Sequence, residues 1–315
     1  MPSARKFSAE PETIWSALFA AMLRYATPLI FASLGGLFSE RSGVVNIALE
    51  GMLLTGAFFG VLGADVTNSW FLGVLIAMAA GGALALIHAI FAVSLRADQI
   101  VSGTALNFLA FGLTSYLYLN RYGGQGTPTD LPAVPDVTLP GVESIPFFGD
   151  IFGQLNLLIW AGLALVLITW VVVFRTPPGL RLRSVGENPL AAETAGLPVV
   201  RTRYLAVVTS GVLAGAGGAY LSIGFVHSFS ENMTVGKGFI ALAALIFGRW
   251  RPGGALAAAL LFGFSTALAQ RLPVFSPSAA TLFQALPYVL TLVAVAGVVG
   301  RSIAPAALGR PLERS

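Results

Sequence analysis

The sequence predicts an all-α, polytopic integral membrane helical bundle of about nine transmembrane segments, and three observations predict it. Of 315 residues, 56% are hydrophobic and only 10% charged, with a mean hydropathy of +0.81; a soluble domain carries about 25% charged residues. Apolar runs recur that match the ~20 residues a bilayer-crossing helix needs. These runs do not alternate, which excludes the ~10-residue alternating strands of a membrane β-barrel. In hydrocarbon every backbone polar group needs a partner, and a continuous helix supplies it from within.

Residues 1–13 form a tail with Arg5, Lys6, Glu10 and Glu12, expected outside the cell. The run after it lacks a small-residue cleavage site, so no removable signal peptide is read. The predicted spans are 14–38, 44–64, 70–95, 100–120, 154–174, 204–224, 237–249, 253–271 and 282–300, with a range of eight to ten. Arg24 interrupts the first and, beside Tyr25, is expected near the outer interface. The segment 237–249 is too short to cross comfortably and is expected to be a half-helix or re-entrant. Residues 14–300 thus make a single transmembrane domain with large loops at 121–153 and 175–203, followed by a tail at 301–315. The first of these loops, rich in Pro and Gly, reads as an independent surface cap.

Basic loop residues mark the cytoplasmic side. Loop 175–203 holds Arg175, Arg181, Arg183, Arg201 and Arg203, whereas 121–153 sets Arg121 against Asp130, Asp136, Glu143 and Asp150. One span separates them, so 175–203 is expected inside and 121–153 outside. Alternation carries Arg41, Arg96, Arg249, Arg251, Arg301, Arg310 and Arg314 inside as well. The C-terminus is then cytoplasmic and the N-terminus extracytoplasmic.

The 18 basic residues form no run that could track a phosphate backbone, so no nucleic-acid partner is expected; the partner is the lipid bilayer. Cysteine is absent and the histidines are two, His88 and His227, which leaves no thiolate or metal centre to expect. Gly35-Gly36, Gly56 with Gly60, Gly81-Gly82, Gly211 with Gly215, and Gly217-Gly218 suit close helix packing. With Pro28 and Pro287 they could instead make broken, hinged helices lining a path.

Loop 175–203 carries the clearest local signal. Asn188 is a good N-cap and Pro189 suits the first helical position. Leu190 to Ala195 then make a short helix, closed by Gly196 and blocked by Pro198. The run Gly186-Glu187-Asn188-Pro189 with Ala191-Ala192 and Ala195-Gly196 resembles the coupling-helix region of permease subunits of bacterial ABC importers. The branch is that of simple sugars, branched-chain amino acids and nucleosides. The stretches Glu40–Gly51, Gly238–Ala243 and Gly248–Gly254 extend the resemblance across most of the chain, and Gly43-Val44-Val45-Asn46-Ile47-Ala48-Leu49-Glu50-Gly51 is most similar to nucleoside permeases.

The resemblance implies coupling to a separate ATPase through Gly186, Glu187, Asn188, Ala191, Ala192, Ala195 and Gly196. It also implies a second homologous permease, an extracytoplasmic binding protein or lipoprotein, and a place in the bacterial inner membrane. No cofactor is expected in this chain; ATP and Mg would be used by the partner. No P-loop is present, since the sole Gly-Lys, Gly236-Lys237, runs into Gly238.

Polar residues within spans are the remaining candidates for the translocation path. Asn46 and Glu50, four apart, are expected on one face of the second helix. Glu50, the one carboxylate read inside a span, either serves the path or pairs with Arg41. Ser102, Thr104 and Asn107 line the fourth helix, where Asn107 could meet a sugar hydroxyl or base edge; interhelical bonding is the alternative. His88 reads as a packing residue. Phe225 and His227, in the segment 225–233, could stack on or bind a nucleobase near the outer side. An ion-coupled transporter would need paired acids at mid-membrane. An intramembrane hydrolase would need a nucleophile with a base; neither pattern is read.

Overall fold

The computed structural model describes residues 11–123, 126–128, 130–142, 145–275, 285, 289 and 303–311. Among them, seven helices are long and apolar enough to cross a membrane. They are α1 (Pro11–Arg41), α2 (Leu49–Thr67), α3 (Trp70–Ala89), α4 (Gln99–Tyr122), α6 (Leu157–Arg175), α9 (Val199–Ala219) and α11 (Pro252–Phe275). Five-residue α5 (Phe148–Phe152), then α7 (Pro177–Glu187), α8 (Pro189–Thr194) and α10 (Lys237–Phe247) complete the helices. The span expected at 282–300 lies outside the described residues, apart from 285 and 289.

Successive spans alternate in direction, and side-chain bonds tie each end together. At one end, Arg41 donates to the Trp250 carbonyl, Arg203 to that of Ser42, and the Gln99 side chain accepts from Val45. This is the basic end. At the opposite end, Ser16 donates to Asp150, Arg121 and Tyr122 meet Asp65, and Arg271 reaches the Ala17 carbonyl.

α9 is the central helix, packed against α1, α2 and α3. Glycine makes this possible: a Cβ on Gly56 would stand 2.5 Å from the Gly215 Cα, and one on Gly211 would strike Ala85 and the Gly81 carbonyl. Backbones in such contact gain dispersion energy that lipid cannot match. These glycine pairs thus serve close packing. α1 runs through Pro28 and Gly35-Gly36, and α9 through Gly217-Gly218, without a break. Pro287 is outside the described residues. Departures from α-helix fall elsewhere, as π-helical turns at Ile90–Ser94 and Tyr220–Val226.

The second span starts at Leu49, five residues later than the apolar run suggests, because 42–48 forms a buried non-helical turn. Gly43 holds φ +92°, and Ser39 Oγ donates to the Val44 carbonyl. Irregular backbone inside a bundle needs polar partners, and here side chains supply them. Gln99 accepts from Val45 N, His88 Nε2 meets the Val45 carbonyl at 2.9 Å, and Asn107 Nδ2 donates to Ile47.

The segment after α4 is not an independent cap. It pairs β1 (Asp136–Thr138) antiparallel with β2 (Gln154–Asn156), Val137 opposite Leu155. Leu131, Val134, Ile151 and Leu155 are buried in the main core with Phe58 and Tyr220. Apolar burial ties the segment to the bundle, and among the described residues the fold is all-α apart from this two-stranded ribbon.

Candidate coupling face and translocation path

At the basic end, 175–203 is a two-helix corner rather than a loop with one short helix. α7 was the missed element. Its signal was present: Thr176 caps the Gly179 N–H at 3.4 Å, and Pro177 occupies the first turn. α8 follows as expected, with Asn188 Oδ1 accepting from Ala191 N at 3.0 Å and Pro189 at the first position. Gly196 closes it at φ +80°, a left-handed conformation that suits glycine.

Only part of the expected coupling set faces outward. Glu187, Asn188, Ala191, Ala195 and Gly196 are exposed, joined by Leu190 at 48% exposure. Gly186 and Ala192 face inward. A Cβ on Gly186 would strike the Arg41 carbonyl, and Ala192 packs with Val185 and Val199 to seat α8 on the bundle. A short apolar patch beside two carboxylates, Glu187 and Glu193, is thus exposed.

Mid-bundle, the structure separates two residues that the sequence placed on one helix face. Asn46 lies in the turn before α2 and donates to Ser210 Oγ at 2.8 Å, linking the turn to α9. Glu50, in the first turn of α2, leaves Arg41 to the Trp250 carbonyl and turns instead to α10. One carboxylate oxygen accepts from Thr234 Oγ1 at 2.6 Å and Gly236 N at 2.8 Å, the other from Gly238 N at 2.6 Å. A carboxylate at a helix N-terminus satisfies orphan N–H groups and the positive end of the helix dipole. Glu50 therefore fixes where the chain, returning from α9 through 227–236, starts its half-helix.

α10 has 11 residues, a rise of ~16 Å, and ends near Trp250, which sits beside Arg41. Glu50 thus sits at the start of α2 and also at the start of α10, at the opposite end of α10 from Trp250. The sequence missed a second buried carboxylate: Glu40, 2% exposed, accepts from Trp250 Nε1. Both acids are engaged in holding α10 and its return.

Asn107 and Ser102 are likewise engaged. Asn107 Oδ1 accepts from Gly51 N at 2.7 Å while its amide holds Ile47, and Ser102 donates to the Gln99 carbonyl. Thr104 bonds Ile100 within its own helix.

At the opposite end the structure gathers Phe225 and His227 with residues not foreseen. A cavity of about 190 Å³ is lined by Arg24, Asp136, Asn156, Ile159, Tyr220, Gly224, Phe225 and His227. Tyr220 and Phe225 lie parallel with ring centroids 6.1 Å apart, and Tyr25 meets Phe225 edge-on. Asn156 is held by the Val134 and Gly224 carbonyls, and Tyr220 by that of Arg24. Exposed Arg24, Asp136 and His227 remain at the mouth. The wide turn Tyr220–Val226 aims the aromatic pair there, which period-based reading of a regular helix could not show.

The bundle thus combines long apolar helices with a short apolar helix, α10, and a capped corner at its basic end. The family described as the branched-chain amino acid transport system permease component matches residues 18–295. The chain belongs to that family. The guanosine ABC transporter permease protein NupQ of Bacillus subtilis (strain 168) is 44% identical over 309 residues, covering 95% of this chain and 97% of the relative. The nucleoside ABC transporter permease protein NupC of Lactococcus lactis subsp. cremoris (strain MG1363) is 41% identical, covering 93% and 95%. A second Bacillus subtilis protein, the guanosine ABC transporter permease protein NupP, is 28% identical, covering 79% and 75%. This permease is a multi-pass membrane subunit of an ABC transporter, and ATP hydrolysis is the work of a separate subunit.

Proposed function

We propose that this permease carries a nucleoside inward across a bacterial plasma membrane. The observation that carries the reading is the likeness to the guanosine permease over nearly the full length of both chains. The outer cavity supports it chemically. Tyr220 and Phe225 offer an apolar edge for a base, and Arg24, Asp136 and His227 offer partners for ribose hydroxyls and base-edge groups. Stacking of a base on an aromatic ring contributes roughly 1–3 kcal/mol.

The basic end is cytoplasmic in this reading, by its arginines, and α8 docks on an ABC ATPase that uses ATP and Mg. A second, homologous permease completes the path, as two guanosine permeases in one Bacillus suggest. An extracytoplasmic binding protein or lipoprotein delivers solute to the cavity end. Transport follows from alternating access: ATP-driven displacement of α8 favours one facing state, and solute affinity differs between the two. Glu40 and Glu50 are occupied as helix anchors, which counts against an ion-coupled carrier.

The test is uptake of labelled guanosine into vesicles holding the complete transporter, competed with cytidine, glucose and leucine. Nucleosides alone should compete. Competition by glucose or leucine at nucleoside concentrations would contradict the assignment.

A further inference from the structure

The described tail residues, 303–311, do not hang free. Ala307 N donates to the Gly186 carbonyl at 2.9 Å, and Ala306 N reaches Glu187 Oε2 at 3.3 Å. Gly309 N donates to the Gly43 carbonyl at 3.1 Å. Ala304 and Leu308 pack against a cluster that includes Leu37 of α1, Leu182 of α7 and Ala206 of α9. The segment thus crosses the end of α1, the residues just before the Asn188 cap, and the start of α9.

At the crossing sits Arg203, with no exposed surface. Its Nε donates to the Ser42 carbonyl at 3.2 Å and its Nη1 to the Arg310 carbonyl at 3.4 Å. Among the described residues, the partners of this guanidinium are the Ser42 and Arg310 carbonyls. A buried cation is costly unless it is well hydrogen-bonded. Its position makes sense as a fastener. The carbonyl just past α1 is at the favourable, negative end of that helix, and Gly43 leaves the room, since a Cβ there would stand 3.0 Å from Nη2.

We propose that residues 303–311 are a coupling strap, with Arg203 as its anchor and positioning residue. The strap makes α8 move as one body with the ends of α1 and α9, so that a push from the ATPase reaches two spans at once. A cavity of about 340 Å³ between strap and α8, lined by Glu187, Pro189, Leu190, Ala306, Arg310 and Pro311, places the strap on the same face as the docking patch. The proposal rests on the reading of α8 as the ATPase contact.

The test uses the complete transporter in vesicles, with the permease either Arg203→Met or ended at residue 302. Three quantities are read: ATPase retained, ATP hydrolysed and guanosine taken up. Both variants should retain the ATPase and hydrolyse ATP, while uptake per ATP falls severalfold. Arg203→Lys, which keeps the charge and one donor direction, should recover part of it. An unchanged ratio of uptake to hydrolysis would overturn the strap, and so would loss of the ATPase from both variants, which would make the segment part of the dock. If truncation prevents insertion, Arg203→Met decides alone. A wild-type permease that retains no ATPase would instead sink the reading of α8.

Discussion

Glu50 shows how a residue's type can be legible while its partner is not. A carboxylate in an apolar run announces that something compensates it, but the nearest basic residue in sequence, Arg41, is not that partner. The partner is the start of α10, 184 to 188 residues away, and sequence spacing carries no signal over such a distance. Glu50→Gln keeps the shape but replaces one accepting oxygen by an amide donor opposite a backbone N–H. Loss of a charged acceptor should lower stability by about 1.5–3 kcal/mol, read as a lower unfolding midpoint in detergent, with uptake reduced. An unchanged midpoint would show that α10 does not depend on this carboxylate. Asn46, Asn107 and His88 teach the same lesson: their types were noticed, but their use in holding the turn 42–48 depends on where α2 begins.

Among the elements, those with local punctuation were readable. α8 was legible from Asn188, Pro189 and Gly196, and the half-helix α10 from the length of its apolar run alone. The start of α2 was not, because hydropathy sees the buried turn and the buried helix alike. Within α8 the outward and inward faces make separable predictions. Leu190→Asp should leave the permease folded and abolish ATPase retention, since Leu190 is exposed and belongs to no cluster of the bundle. Gly196→Pro should unseat the helix end, because proline holds φ near −65° and the site needs +80°; uptake is lost with the chain still inserted. Asn188→Ala removes the cap and should cost about 0.5–2 kcal/mol, giving partial activity. Normal uptake in all three would exclude α8 as the driven element.

Across the whole molecule, the long apolar helices and their alternation followed from composition, since lipid leaves little freedom for the backbone, while the span expected at 282–300 lies outside the described residues. The cavity opposite the basic end did not follow from composition, because it forms where Arg24, Asp136, Tyr220 and His227 meet from segments far apart in sequence. Sidedness can be read directly, because the chain has no cysteine of its own. Single substitutions Asp136→Cys and Glu193→Cys, both at exposed positions, should label from opposite sides of intact cells. A membrane-impermeant maleimide should reach the first without permeabilisation and the second only after it; the reverse pattern would invert the topology.

In the proposed function, this permease works only as part of an ATP-driven assembly. The most direct measurement is purification of the tagged chain from its native membrane in mild detergent, followed by reconstitution and guanosine uptake. An ATPase and a second permease recovered in near-equal amounts, with uptake that requires ATP inside or outside according to the labelled orientation, is the predicted result. A chain that purifies alone and takes up solute on a proton or sodium gradient would contradict it.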